Sequence, residues 1–194
     1  MPTNYLRMEY LLAKIDEPNR HACEKLYVEN RKLWERSPGS TNNHQAWPGG
    51  YIDHITEAMN ICIALYKSLS TVRPLTFSLS DALLVIFLHD LEKPWKYERK
   101  TDGQLHHKAK MQTKDQHQDF RMRKAAEYGI VLTEEHKNGI KYAEGELNDY
   151  SSRKRVMSPL AAFAHMCDVC SARIWHDHPK ENPDLWVHAK RWRS

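Results

Sequence analysis

The stretch Leu83-Leu84-Val85-Ile86-Phe87-Leu88-His89-Asp90-Leu91-Glu92-Lys93-Pro94 constrains this chain more than any other. Six apolar residues run without a break into a His-Asp pair. A run with no polar face belongs in a core, covered on all sides. An imidazole and a carboxylate at its end then need partners, because buried polar groups without them are costly. A divalent metal satisfies both side chains at once, provided that other segments supply the remaining ligands.

Those segments are helical. No run of alternating β-branched residues lies between turn pairs, so the chain reads as all-α. The pattern predicts two N-terminal helices, over 3–16 and 19–36, with Leu6, Tyr10, Leu11 and Ile15 on one face of the first and Leu26, Val28, Leu33 and Trp34 on the second. Ser37-Pro38-Gly39-Ser40-Thr41-Asn42-Asn43 is a loop. His44-Gln45-Ala46-Trp47-Pro48-Gly49-Gly50 leads into a helix over 51–68 whose buried side carries Ile52, Ile55, Met59 and Ile63, with His54 near its start.

Ser78 and Asp81 form a near capping box for the central helix, expected over 79–93 and stopped by Pro94. The polar stretch 95–112, with its Asp102-Gly103 turn pair, is expected to be irregular. Thr113 and Thr133 start two more helices, the first ending at Gly129 and the second near Glu144. Ser158-Pro159 opens a last helix reaching Trp175, dense in apolar residues but with Asp168 in its middle.

With 194 residues the chain suits one domain, with 1–43 packing on a core over 44–176 and a basic, aromatic tail over 177–194. No apolar run approaches the ~20 residues of a membrane span, and the N-terminus has no secretory pattern. Cys167 and Cys170 have CxxC spacing without a second pair, so reduced thiols in a cytoplasmic protein are expected rather than a zinc site. A net charge of +4, with twelve histidines counted neutral, is too small to mark a nucleic-acid-binding protein by itself.

Three helices thus carry an ionisable residue among apolar neighbours: His54, the His89-Asp90 pair, and Asp168. Singly, each reads as a hydrogen-bonded structural residue. Together they form a two-His, two-Asp ligand set of the kind helical bundles build from facing helices.

The order His…His-Asp…Asp resembles the HD-domain metal-dependent phosphohydrolases over 44–173. Phe87-Leu88-His89-Asp90-Leu91-Glu92-Lys93 is similar to the family's hydrophobic-HDxGK form, with Glu92 in place of Gly. His44 to His54 resembles the H-x-x-[YW]-x-GG-x-x-x-H opening of some members, among them the HD domain of certain bacterial 3′→5′ exoribonucleases. Ser158 to Arg173 looks like the closing helix that carries the final Asp. The resemblance implies an HD-type helical bundle with His54, His89, Asp90 and Asp168 as ligands of a divalent ion (Mn, Co, Ni, Zn, Fe or Mg). Some HD proteins hold two metals; His106, His107, His117 and His136 lie in the relevant interval without a family context, so one metal per chain is expected.

Such an ion lowers the pKa of a bound water and neutralises charge on phosphorus, so hydrolysis of a phosphoester is the expected chemistry. Lys93, at helical spacing from His89 and Asp90, is expected to contact phosphate, the alternative being a helix-dipole role. Glu92 is a candidate acid, base or ligand orienter. Glu57, one turn after His54, is a candidate orienter for that imidazole, and Trp47, Trp95 and Tyr97 are candidate base-stacking residues. Glu144 or Glu146 stands where a further His might be expected.

The expected function is nucleotide phosphohydrolysis, of the nucleotidase or dNTP phosphohydrolase type, on a small-molecule substrate. The alternatives are a 3′→5′ exonuclease, a cyclic-nucleotide phosphodiesterase and a non-catalytic nucleotide-binding module. Aromatic and basic residues of the N-terminal helices and tail suit a homo-oligomer.

Overall fold

The computed structural model describes residues 4–99, 105–107 and 111–192. Its elements in order are α1 (Met8–Leu12), α2 (Asn19–Trp34), α3 (Gly50–Ser70), α4 (Leu79–Leu88), α5 (Lys93–Lys96), β1 (Tyr97–Arg99), β2 (Leu105–His107), α6 (Lys114–Glu127), α7 (Glu134–Tyr142) and α8 (Pro159–Val169). A π-helical turn, Cys170–Ile174, continues α8. The fold is an all-helical bundle with one short hairpin attached.

Helix α4 is its axis. Ser78 accepts from the Asp81 amide while Asp81 accepts from the Ser78 amide, so the first turn is capped from both sides. Residues Ala82 to Leu88 are then all buried, and α3, α7 and α8 pack around them. The approach of α7 depends on Gly139: a Cβ there would lie 2.9 Å from Val85 Cγ1. Trp34, Tyr51 and Phe87 form an aromatic cluster under α4, with Trp34 ring centroids 5.2 Å from Tyr51 and 5.5 Å from Phe87.

Several expectations change in detail. The first helix is only Met8–Leu12, and its core face is Met8, Leu11 and Leu12, with Ile15 buried beyond it; Tyr10 is 65% exposed. Val28 also points outward. Helix α4 ends at Leu88, six residues before Pro94, with His89 as its C-cap. Pro94 instead stands in the first turn of α5, where its missing N–H costs nothing. The His-Asp pair therefore sits in a turn between two helices.

The stretch expected to be irregular holds an antiparallel hairpin, with Tyr97 opposite His107 and Arg99 opposite Leu105. Asp102-Gly103 and the side chains of His106 and His107 lie outside the described residues.

The tail folds back on the bundle. Trp192 N–H donates to Asp53 Oδ1 at 2.8 Å, and the Arg191 guanidinium lies 3.5 Å from the Trp47 ring centroid. Tyr5 N–H donates to Val187 O at 3.0 Å, and the Tyr5 and Trp186 rings meet edge-on at 5.3 Å. Tyr5, Trp186, Arg191 and Trp192 are thus engaged within the chain, while Tyr10 and Val28 stay exposed. Among the described residues, no helix is long and apolar enough to cross a membrane.

Candidate metal centre

His54 comes from α3, His89 and Asp90 from the turn after α4, and Asp168 from α8. All four are buried and offer donor atoms within 4.8 Å of one another. His54 Nε2 lies 3.4 Å from His89 Nε2, 3.4 Å from Asp90 Oδ2 and 3.2 Å from Asp168 Oδ1. His89 Nε2 lies 3.3 Å from Asp90 Oδ2 and 3.5 Å from Asp168 Oδ1. Donors at such separations surround a common point at roughly 2.0–2.5 Å, the bond lengths of divalent cations to nitrogen and oxygen.

Both imidazoles are oriented from behind. His89 Nδ1 donates to Ile86 O at 2.7 Å, so Nε2 is the nitrogen turned to the cluster. His54 Nδ1 lies 3.0 Å from Ser171 Oγ, and Ser171 donates to Glu57 Oε2 at 2.8 Å. Glu57, 2% exposed, is thus linked to His54 through Ser171. Burial raises the Glu57 carboxyl to about 8.

The two carboxylates make the centre favourable to positive charge. Burial disfavours a charged His89, yet Asp90 and Asp168 outweigh it and raise this imidazole to about 10. Burial likewise pushes the Asp90 carboxyl up, but Lys93 and His89 hold it well below the usual carboxylate range. Asp168 is depressed too, burial being outweighed by bonds from His54 and His89. Two anionic carboxylates and two imidazole nitrogens around one point suit a divalent ion, which would neutralise both carboxylates at once.

The first block of the motif builds one wall. Gln45 is fully buried and left-handed, with φ 39°. Its amide group donates to Glu57 Oε2 at 3.1 Å and to His178 O at 3.0 Å, and its Oε1 accepts from His44 Nδ1 at 2.8 Å. The backbone can pass here only because residue 50 is glycine: a Cβ would lie 1.7 Å from Gln45 O. The His44 ring is set 4.7 Å from that of His54. Burial, then His54 and Lys93, lower His44 to about 3, so it is a neutral group facing the site.

Lys93 Nζ lies 2.5 Å from Asp90 Oδ2 and 3.5 Å from His44 Nε2. Its spacing from Asp90 arises in the α4–α5 turn, where Lys93 N–H bonds to Asp90 O at 3.0 Å, rather than in a continuous helix.

Glu92 differs from expectation. It is fully buried and accepts from Arg121 Nε at 2.6 Å. Burial raises its carboxyl, but Arg121 outweighs this and leaves it below the usual value, so it holds no proton to donate near neutrality. Arg121 engages Oε2, while Oε1 is buried without a hydrogen-bond partner, 3.8 Å from His117 Nδ1; this setting suits an orienting role better than a proton donor's.

The aromatic side chains have other partners. Trp47 Nε1 donates to Asp53 Oδ2 at 2.8 Å, and Arg191 covers its ring. Trp95 packs on Phe120 of α6, ring centroids 5.5 Å apart, with Lys124 Nζ 5.1 Å from its centroid. Lys96 Nζ lies 5.6 Å from the Tyr97 centroid. Of the histidines considered for a second ion, His136 bonds Asp81 Oδ1 at 2.9 Å, and His117 Nε2 bonds Met111 O at 3.1 Å. Glu144 pairs with Lys114, and Glu146 Oε1 accepts from Met157 N–H at 3.4 Å. The four cysteines are free.

Four residues at or near the centre had no assigned role in the sequence: His44, Gln45, Ser171 and Arg121. Besides His44, which opens the H-x-x-[YW]-x-GG-x-x-x-H block, a legible signal existed for two. Ser171 is three residues after Asp168, on the same helical face. His117, Arg121 and Ala125 recur every four residues, and they are the buried face of an otherwise polar α6.

Fold and cluster together define an all-helical protein with a buried two-His, two-Asp centre able to hold a divalent ion. Over 73 residues the chain is 32% identical to the dihydroneopterin 2',3'-cyclic phosphate phosphodiesterase of Methanocaldococcus jannaschii, covering 38% of this chain. The aligned part spans 29% of that relative, under a third of its length. No protein-family profile matches the chain. No solved structure matches it either.

Proposed function

We propose that this chain is a metal-dependent phosphoester hydrolase of the HD type, acting on a small nucleotide-like phosphate. The convergence of His54, His89, Asp90 and Asp168 carries this reading. A divalent ion held there would supply Lewis acidity toward a phosphoryl oxygen and ready deprotonation of water near neutral pH. The chain's own groups do the rest. Lys93 presents an ammonium beside Asp90, placed to balance charge on the phosphoryl oxygens as the ester bond breaks. His44, neutral and held through Gln45, offers Nε2 as a hydrogen-bond acceptor at the same wall. The apolar residues of α4 close the floor against water.

The relative's activity favours a cyclic phosphodiester as substrate, and the HD resemblance favours a nucleotidase or dNTP phosphohydrolase. An exonuclease reading gains nothing from Arg191 and Trp192, which are bound to the bundle. The catalytic unit is 44–176, with one ion per chain.

Purified protein given Mn²⁺, Co²⁺, Ni²⁺, Zn²⁺, Fe²⁺ or Mg²⁺ in turn is offered 2',3'-cyclic and 3',5'-cyclic nucleotides, mononucleotides, dNTPs and a labelled oligonucleotide. Opening of a cyclic ester supports the first form. Release of phosphate, or of intact triphosphate, supports the second. Shortening of the oligonucleotide alone, or silence on every substrate, overturns the proposal.

A further inference from the structure

We propose that Glu92 and Arg121 are a positioning pair that aims Asp90 at the cation centre, an inference that rests on the metal-binding reading above. The two side chains lie out of water, Glu92 at 0% and Arg121 at 3% exposure. Taking both charges into the interior is costly, so the pair calls for a function beyond filling space.

The guanidinium is fixed at two points. Nε donates to Glu92 Oε2 at 2.6 Å, and Nη1 donates to Ile140 O at 3.3 Å. A planar fork held at two nitrogens presents its third in a set direction. That third nitrogen, Nη2, is buried without a hydrogen-bond partner and lies 3.9 Å from Asp90 Oδ1. Asp90 Oδ1 is itself buried and unpartnered. Glu144 Oε1 lies 4.0 Å from Nη2.

The two oxygens of Asp90 thus have separate surroundings. Oδ2 faces His54, His89 and Lys93. Oδ1 faces Arg121. A contraction of about 1 Å closes the Nη2–Oδ1 gap to a charge-assisted hydrogen bond. With Oδ1 so held, the carboxylate cannot rotate, and Oδ2 stays on the cation. Glu92 acts only through Arg121, by anchoring it. This accounts for the departure from the HDxGK pattern: an acid in place of Gly comes with a cation from α6, and the two work as one device.

The test is a Mn²⁺ titration followed by the electron paramagnetic resonance signal of the free ion, with thermal melts of the metal-free proteins. The proteins are wild type, Glu92→Gln, Arg121→Lys and the double variant Glu92→Gln/Arg121→Gln. The double variant removes both buried charges together, so it leaves neither alone in the core. It is expected to bind Mn²⁺ about ten- to a hundred-fold more weakly while still melting cooperatively. Glu92→Gln and Arg121→Lys are each expected to weaken binding by a smaller factor, and they decide the matter if the double variant does not fold.

A pair with a merely structural role lowers the melting temperature and leaves Mn²⁺ affinity unchanged; that result overturns the positioning role but not the metal centre. Failure of the wild type to bind Mn²⁺ or any other divalent ion overturns the reading of the centre, and this proposal with it.

Discussion

Ser171 Oγ stands between two buried groups, 3.0 Å from His54 Nδ1 and 2.8 Å from Glu57 Oε2. One hydroxyl therefore fixes which nitrogen of His54 faces the centre. It comes from the π-helical turn after α8, and the wider turn is of a kind often found at functional sites. Ser171→Ala leaves His54 Nδ1 without a partner and Glu57 with only its bond from Gln45. Divalent-ion affinity is expected to fall about ten-fold or more, and stability by about 1–3 kcal/mol. Calorimetric titration with Zn²⁺ or Mn²⁺, beside a melt, measures both.

Removal of the ligands tests the centre directly. His54→Ala and Asp168→Ala are expected to abolish stoichiometric metal in elemental analysis and to lower hydrolysis at least a hundred-fold. In the wild type, a chelator is expected to stop hydrolysis and lower the melting temperature, since an ion bound only by the native state stabilises it. Full metal retention by both variants would sink the assignment.

Lys93 separates substrate binding from metal binding. Lys93→Gln removes the ammonium at Asp90 Oδ2 but none of the four donors. Loss of one preorganised charge at the developing negative charge is expected to lower kcat about 10²–10³-fold. Metal content is expected to stay at the wild-type level, as elemental analysis reads.

Glu57 gives the stability curve a slope. Its folded value is raised to about 8, against 4.5 for an unperturbed glutamate. Between these values the folded chain keeps a proton that the unfolded chain releases, so stability falls as pH rises. The contribution is complete below about pH 4.5 and gone above about pH 8. Glu57→Gln keeps the shape and cannot titrate. The difference between wild-type and variant melting temperatures is expected to move in the variant's favour from about pH 5 to 8. A difference that stays constant over that range contradicts the buried carboxyl.

Gly139 tests the packing of α7 on α4. A Cβ at this position meets Val85 Cγ1 at 2.9 Å and Cγ2 at 3.0 Å. Gly139→Ala gains helix propensity but forces the helices apart, with an expected net loss of about 1–3 kcal/mol. Adding Val85→Ala opens the space, so the double variant is expected to lose less than the sum of the two single changes, as denaturant unfolding would show.

The sequence by itself determined the helical class, the capped starts at Ser78, Thr113, Thr133 and Ser158, and the burial of α4. These depend on local terms: a hydroxyl facing an amide two or three residues on, and an apolar run with no polar face. It also picked out His54, His89, Asp90 and Asp168, because an ionisable group inside an apolar pattern is visible without knowing its partner. The partners themselves came only from the tertiary structure. That Glu92 belongs to Arg121, Glu57 to Ser171, His44 to Gln45 and Trp47 to Arg191 follows from contacts spanning 29, 114, 1 and 144 residues of chain, three of them brought together only when the helices pack. Even the adjacent pair needs the left-handed turn that distant packing imposes on Gln45. The break between Leu88 and Lys93 was hidden for the same reason. Residue pattern alone favours one continuous helix there, and only the packing around His89 and Asp90 turns both into the centre.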